Sequence, residues 1–227
     1  MGKRWPVLAA VVVLAASGCS SSPNYATAAP DHPVTADRAG RSQADLTLLT
    51  GATAIVVRSA DLGGDLFRAW SPDGKRVVPR ATVDGDVVNL SFDNADEARI
   101  ELASDVTWSV HLNGGAKVQT LDLRSAKLKS VDFGAGSDRI DLTLPSPTGT
   151  VPVRMTGGAS IFDLHLPLGA QAQVRFSGGA GHAMIDGTST SGLAGGTVLR
   201  TADLDTATDH YAVDAVAGVA ELTVDRT

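Results

Sequence analysis

Four stretches of the chain align with one another: Val110-His111-Leu112-Asn113-Gly114-Gly115-Ala116, Val131-Asp132-Phe133-Gly134-Ala135-Gly136, Val153-Arg154-Met155-Thr156-Gly157-Gly158-Ala159 and Val174-Arg175-Phe176-Ser177-Gly178-Gly179-Ala180. Their apolar residues Leu112, Phe133, Met155 and Phe176 are spaced 21, 22 and 21 residues apart. A second apolar residue follows each by nine: Leu121, Leu142, Leu164 and Ile185. A fixed period near 21 marks a stacked repeat architecture, in which one unit cannot bury its own apolar face and relies on its neighbours.

Inside each repeat the side chains alternate, as in Ile140-Asp141-Leu142-Thr143-Leu144 and Phe162-Asp163-Leu164-His165-Leu166. Successive side chains of a strand point to opposite faces. Ile140, Leu142 and Leu144 therefore line one side, and Asp141 and Thr143 the other. Stacking in chain order would pair equivalent strands in parallel and pile the apolar residues into columns. The Gly-Gly turns fit a corner between two strands, where a left-handed backbone is open to glycine. Pro145 and Pro167 fit strand endings at the opposite corner.

Upstream, Asp45-Leu46-Thr47-Leu48 and Ala54-Ile55-Val56-Val57-Arg58 carry strand signals. Ser71-Pro72-Asp73-Gly74 reads as a turn, and Asp84-Gly85 between two apolar runs as a hairpin. Arg99 to Leu102 and Val106 to Val110 continue the pattern, and no apolar stripe at helical spacing appears from 43 onward. The expected fold is all-β: a stacked parallel β-solenoid of about 21–22 residues per rung, regular over about 110–187, with a hairpin-containing β-region before it. Trp70 and Trp108 fit core or end-capping positions. The 188–205 segment breaks the repeat and reads as a flexible insertion. Val213 and Leu222 then recover the nine-residue spacing in an atypical last unit.

The N-terminus has a different texture. Lys3 and Arg4 precede an apolar run from Val7 to Ala16, too short to span a bilayer as a helix, which needs roughly 20 residues. Residues 1–18 read as a signal peptide. The run ends in Ala16-Ser17-Gly18-Cys19, and Cys19 is the one cysteine in the chain, so it has no internal disulfide partner. Small residues before such a cysteine resemble the bacterial lipobox, although Leu is commonest where Ala16 stands. The resemblance implies lipidation of Cys19 and anchoring to the extracytoplasmic face of the cell membrane by acyl-chain burial. Residues 19–42, rich in Ser, Ala, Pro and Thr, read as a lipidated, flexible tether, and 43–227 as a single domain.

The Gly-Gly-Ala turns, the strand endings Leu144-Pro145 and Leu166-Pro167 and the Asp-Gly hairpin together resemble the bacterial toast-rack β-solenoid family, over roughly 45–227. Related domains occur in adhesin-type lipoproteins and in envelope-stress membrane proteins. The resemblance implies a fold and an envelope setting, and it brings no catalytic motif.

Composition fits that setting. Hydrophobic residues make 43% and charged residues 19%, which supports a folded core. Loss of Lys3 and Arg4 with the leader takes the formal charge from −6 to −8. That acidity, without a basic cluster, argues against a nucleic-acid partner. No nucleophile elbow, phosphate loop, dinucleotide fingerprint or metal motif is present, so no catalytic residue, metal or cofactor is assigned.

Chain-order stacking places His165 and Asp186 in one outward column, one rung apart, with Thr143 and Asp122 below. This pair is a candidate half-site for a metal or for acid–base chemistry, against the simpler reading of a surface cross-strand pair. His111, Asp132, Arg154 and Arg175 form a second outward column. Asp138, Asp141 and Asp163 raise a polysaccharide-cleaving reading, which needs two carboxylates roughly 5–9 Å apart, a spacing any acidic solenoid supplies. The expected function is non-enzymatic: an anchored lipoprotein presenting a repetitive β surface to an envelope protein or a cell-wall glycan. The alternative is an accessory subunit of an envelope-stress or signalling system.

Overall fold

The structure is a computed structural model that describes residues 24–27, 33–72 and 77–227. The leader, Cys19 and part of the Ser71–Gly74 turn lie outside the described residues. Strand makes up 61% of the chain, and no α-helix is present among the described residues. None of their helical segments is long and apolar enough to cross a membrane.

The first described strands are β1 (Asn24–Thr27) and β2 (Val34–Asp37), followed by a rung of β3 (Gln43–Leu48) and β4 (Ala54–Ala60). Two single strands follow, β5 (Asp65–Trp70) and β6 (Arg80–Asp84), and then a rung of β7 (Val87–Ser91) and β8 (Glu97–Ala103). Three rungs come next: β9 (Thr107–Leu112) with β10 (Ala116–Asp122), β11 (Lys127–Phe133) with β12 (Ser137–Thr143), and β13 (Thr150–Met155) with β14 (Ala159–Leu166). A further rung pairs β15 (Gln171–Phe176) with β16 (Ala180–Ile185). Two single strands, β17 (Thr188–Leu193) and β18 (Thr197–Arg200), precede a 3-10 turn and the last rung, β19 (His210–Ala215) and β20 (Val219–Arg226).

Each rung gives one strand to each of two ten-stranded sheets. Sheet A runs β1-β6-β7-β3-β9-β11-β13-β19-β15-β18, and sheet B runs β17-β16-β20-β14-β12-β10-β4-β8-β5-β2. The inner faces of both sheets supply one buried cluster from Val34 to Val224. A column along sheet A is read directly from the register: Leu90, Leu48, Leu112, Phe133, Met155, Ala215 and Phe176. Small Ala215 separates Met155 from Phe176. Across the core, the Phe133 and Phe162 rings meet edge to face with centroids 5.7 Å apart. The solenoid expectation holds, and Trp108 is fully buried with its Nε1–H donated to the Ala103 carbonyl at 2.9 Å.

Chain order is not stacking order, however. Parallel stacking follows the sequence only for β9 to β14. The last rung is slotted between the β13–β14 and β15–β16 rungs, so that β15 pairs with β19 and not with β13. The first rung is likewise slotted between β7–β8 and β9–β10. Beyond each end rung an antiparallel strand caps each sheet: β5 and β6 at one end, β17 and β18 at the other. Both ends thus share one plan, in which a terminal rung is held second from the end.

Two expectations are corrected by this plan. The 188–205 segment is two capping strands and a 3-10 turn, because the end of each sheet must be covered. The 19–42 stretch is not all tether: β2 pairs with β5, Val34 is buried, and Arg41 donates to the Gly85 carbonyl at 2.8 Å.

The expected left-handed backbone is found at the second glycine of two corners, Gly158 and Gly179, whereas the first glycine is fixed for another reason. Gly157 has an ordinary backbone, but a Cβ there would overlap the Ala135 carbonyl carbon of the neighbouring corner. Close stacking of turns, not a left-handed backbone, excludes a side chain. The left-handed conformation falls on the next residue, Gly158, at φ 75°.

Candidate binding surfaces

The outward faces follow from the register. On sheet B one column reads Arg68, Glu101, Arg58, Asp122, Thr143, His165 and Asp225. Opposite charges alternate along its first four positions, at the spacing of about 4.8 Å between strands. On sheet A the matching column reads Thr47, His111, Asp132, Arg154, Asp214 and Arg175. Chain-order stacking would have put Arg154 beside Arg175. The slotted last rung places Asp214 between them and removes a like-charge contact. The Asp214 carboxylate also accepts the Ser177 hydroxyl at 2.7 Å.

His165 is the centre of the best-defined polar group on sheet B. Its Nδ1 lies 2.6 Å from Asp225 Oδ1 and its Nε2 3.5 Å from Asp141 Oδ1, and about a quarter of its side chain is exposed. One imidazole therefore joins three strands: β12, β14 and β20. Beside it, Asp163 is largely covered and is ion-paired with Arg139. The carboxylates of Asp141 and Asp163 thus each face a cationic or hydrogen-bonding group.

The expected His165–Asp186 pair does not form. Asp225 occupies the place beside His165, because β20 lies between β14 and β16. Asp186 instead begins a two-residue turn with Gly187, at φ 47° and 80°, linking β16 to β17. Left-handed backbone at both positions is the type I′ hairpin, for which Asp-Gly is a preferred sequence. Arg226 fixes the turn from outside, with Nε and Nη2 each 2.8 Å from the two Asp186 carboxylate oxygens. The Asp-Gly signal was available at 186–187, as it was at 84–85. No group of three or more His, Cys, Asp or Glu side chains arranged to hold a metal occurs among the described residues.

Two interior residues were not anticipated. Tyr211 is fully buried, and its hydroxyl donates to the Pro145 carbonyl at 2.7 Å. Burial pushes its phenol well above the usual tyrosine range. Gln119 is fully buried in an apolar column between Ile55 and Ile140, with neither amide atom hydrogen-bonded.

No protein-family model matches the chain, and no curated protein does. Among solved structures, it is similar to a protein described as a "putative cell adhesion protein" from Clostridium sporogenes, with a TM-score of 0.62 and 14% identity, covering 91% of this chain and 100% of that one. A "putative adhesin" from Bacteroides fragilis is 9% identical over 86% of this chain and 98% of that one, with a TM-score of 0.22. The first likeness extends over nearly the whole chain, and what it shows is a shared fold.

Proposed function

We propose that the chain is a non-enzymatic envelope lipoprotein. A lipid on Cys19 holds it to the extracytoplasmic face of the membrane, and its flat β faces are presented to a protein or glycan partner. The observation that carries this reading is the state of the outward carboxylates. Asp141 and Asp225 flank His165, Asp163 pairs with Arg139, and Asp186 pairs with Arg226. Groups tied together on an open sheet make a rigid, patterned surface, which suits binding better than proton transfer to a substrate. The described character of the Clostridium sporogenes protein supports the same reading.

The test has two parts. Cys19→Ala should move the protein from the membrane fraction to the soluble one. Crosslinking of the lipidated protein in native envelopes should then give retention on cell-wall glycan or one discrete membrane-protein adduct. A discrete adduct with a signalling membrane protein would favour the accessory-subunit reading. Turnover of cell-wall polysaccharide that is lost in Asp141→Ala or Asp163→Ala would overturn the non-enzymatic reading.

A further inference from the structure

We infer that the free edge of β17 is a docking site for an extended segment of another protein, which adds to sheet B as an eleventh strand. This inference stands on a sheet edge and not on the outward faces, so either can fail without the other. β17 closes sheet B and, among the described residues, pairs only with β16. The type I′ turn at Asp186-Gly187 makes Ile185 and Thr188 a pair that exchanges both hydrogen bonds. By the antiparallel alternation, Ser189 and Ser191 then turn their N–H and C=O groups away from β16. No backbone partner meets those groups among the described residues.

Exposed sheet edges are usually blunted by brevity, charge, proline or a bulge. The β2 edge has four residues, a bulge and Asp37, and the β18 edge has four residues and Arg200. β17 has six residues, Thr-Ser-Thr-Ser-Gly-Leu, with no charge, no proline and no register shift. Among the described strands, the edges β1, β2 and β18 have four residues each, and β17 is the longest.

A second observation lies beside it. Where the two sheets part, between β17 and β18, a cleft of about 290 Å³ opens. Ile185 and Leu199 supply apolar surface in it, and Thr188, Thr190, Asp186 and Arg200 are among the polar residues that line it. Thr188 and Thr190 stand opposite Ile185 and Ala183 in register, so they point inward at the end of the core. A strand added about 4.8 Å beyond β17 satisfies the row of free backbone groups and sends an alternate side chain toward the cleft.

The row of alternating N–H and C=O groups defines the occupant as polypeptide. A second copy of this chain fits poorly. Its β17 would set threonine against an apolar floor and bring two acidic bodies, each of charge −8 once the leader is lost, edge to edge. The favoured segment is extended, apolar on its inward face and basic at its ends, since the chain's net negative charge steers cations toward it.

The probe is an acetylated, amidated peptide of alternating Thr and Val with Lys at each end, compared with the same peptide interrupted by a central Pro. The expected result is saturable binding with slowed amide hydrogen exchange at Ser189 and Ser191. Affinity should fall about tenfold or more for the Pro peptide and for Ser191→Pro, which removes an outward N–H while sparing the β16 ladder. Thr190→Lys, which puts a charge into the cleft, should act likewise if Ser191→Pro fails to fold. Absence of binding at millimolar peptide, equal binding by both peptides, or protection elsewhere would overturn the proposal. Concentration-dependent dimerisation abolished by Ser191→Pro would replace the partner segment with a second copy, and so overturn it too.

Discussion

The Tyr211 hydroxyl donates a 2.7 Å hydrogen bond to the Pro145 carbonyl, inside a fully buried site. It ties the start of the last rung to the corner that follows β12, 66 residues earlier. Tyr211→Phe leaves that carbonyl without its donor and should cost about 1–3 kcal/mol.

The same residue sets a pH dependence. The folded-state phenol is held well above its ordinary value by burial, whereas in the unfolded chain it ionises near pH 10. A folded pKa above the unfolded one gives stability that is complete below about pH 10 and is lost as pH rises toward the folded value. Urea unfolding of the wild type should therefore weaken faster above pH 10 than that of Tyr211→Phe. Parallel decline of the two proteins would show that the phenol is not held neutral by the fold.

Gln119 occupies a core position that an apolar residue would fill better. Its amide is desolvated between Ile55 and Ile140 without a hydrogen bond. Gln119→Leu should stabilise the protein by about 1–3 kcal/mol, seen as a higher urea midpoint at unchanged slope. A lower midpoint would mean that the amide has a partner in solution.

A pair of glycine substitutions separates close corner stacking from ordinary loop glycine. Gly157→Ala forces a methyl into the Ala135 backbone and should cost about 1–3 kcal/mol, whereas Gly64→Ala meets nothing within 4 Å and should stay within about 0.5 kcal/mol. Equal thermal unfolding shifts for the two would contradict the stacked-corner geometry.

The repeat at Leu112, Phe133, Met155 and Phe176 was enough to find the strands, the corners and the apolar columns, because period-two alternation and burial are local properties of the chain. It did not reveal the order of the rungs. Val213 and Leu222 announce a last rung by their nine-residue spacing, yet nothing in those residues says that β19 and β20 enter between earlier rungs. The ends of both sheets need caps, and once β17 and β18 cover the β15–β16 rung, a chain that continues must find a place further in. The candidate pair His165 and Asp186 failed for this reason. The true partner, Asp225, is one strand away but 60 residues along the chain.

Removal of the last rung should therefore damage the structure well before its own position in sequence. Truncation after Asp209 takes away the parallel partner that β15 has in sheet A and the parallel partner that β16 has in sheet B, leaving each only its antiparallel cap among the described strands. Amide exchange should accelerate across 171–200, while protection in 107–143 persists. Unchanged protection at 171–185 would indicate that this rung stacks on β13–β14 directly.

Both outward faces depend on the slotted last rung, and cysteine pairing tests it most directly. In a Cys19→Ser background, Arg154→Cys with Asp214→Cys, and Asp214→Cys with Arg175→Cys, each join register partners on adjacent strands. Such pairs lie about 4.8 Å apart, within disulfide reach, whereas Arg154→Cys with Arg175→Cys spans two strand spacings, beyond the roughly 7 Å limit. Mild oxidation should crosslink the first two pairs and leave the third as free thiols. A disulfide between positions 154 and 175, with none to 214, would restore chain-order stacking and contradict the account.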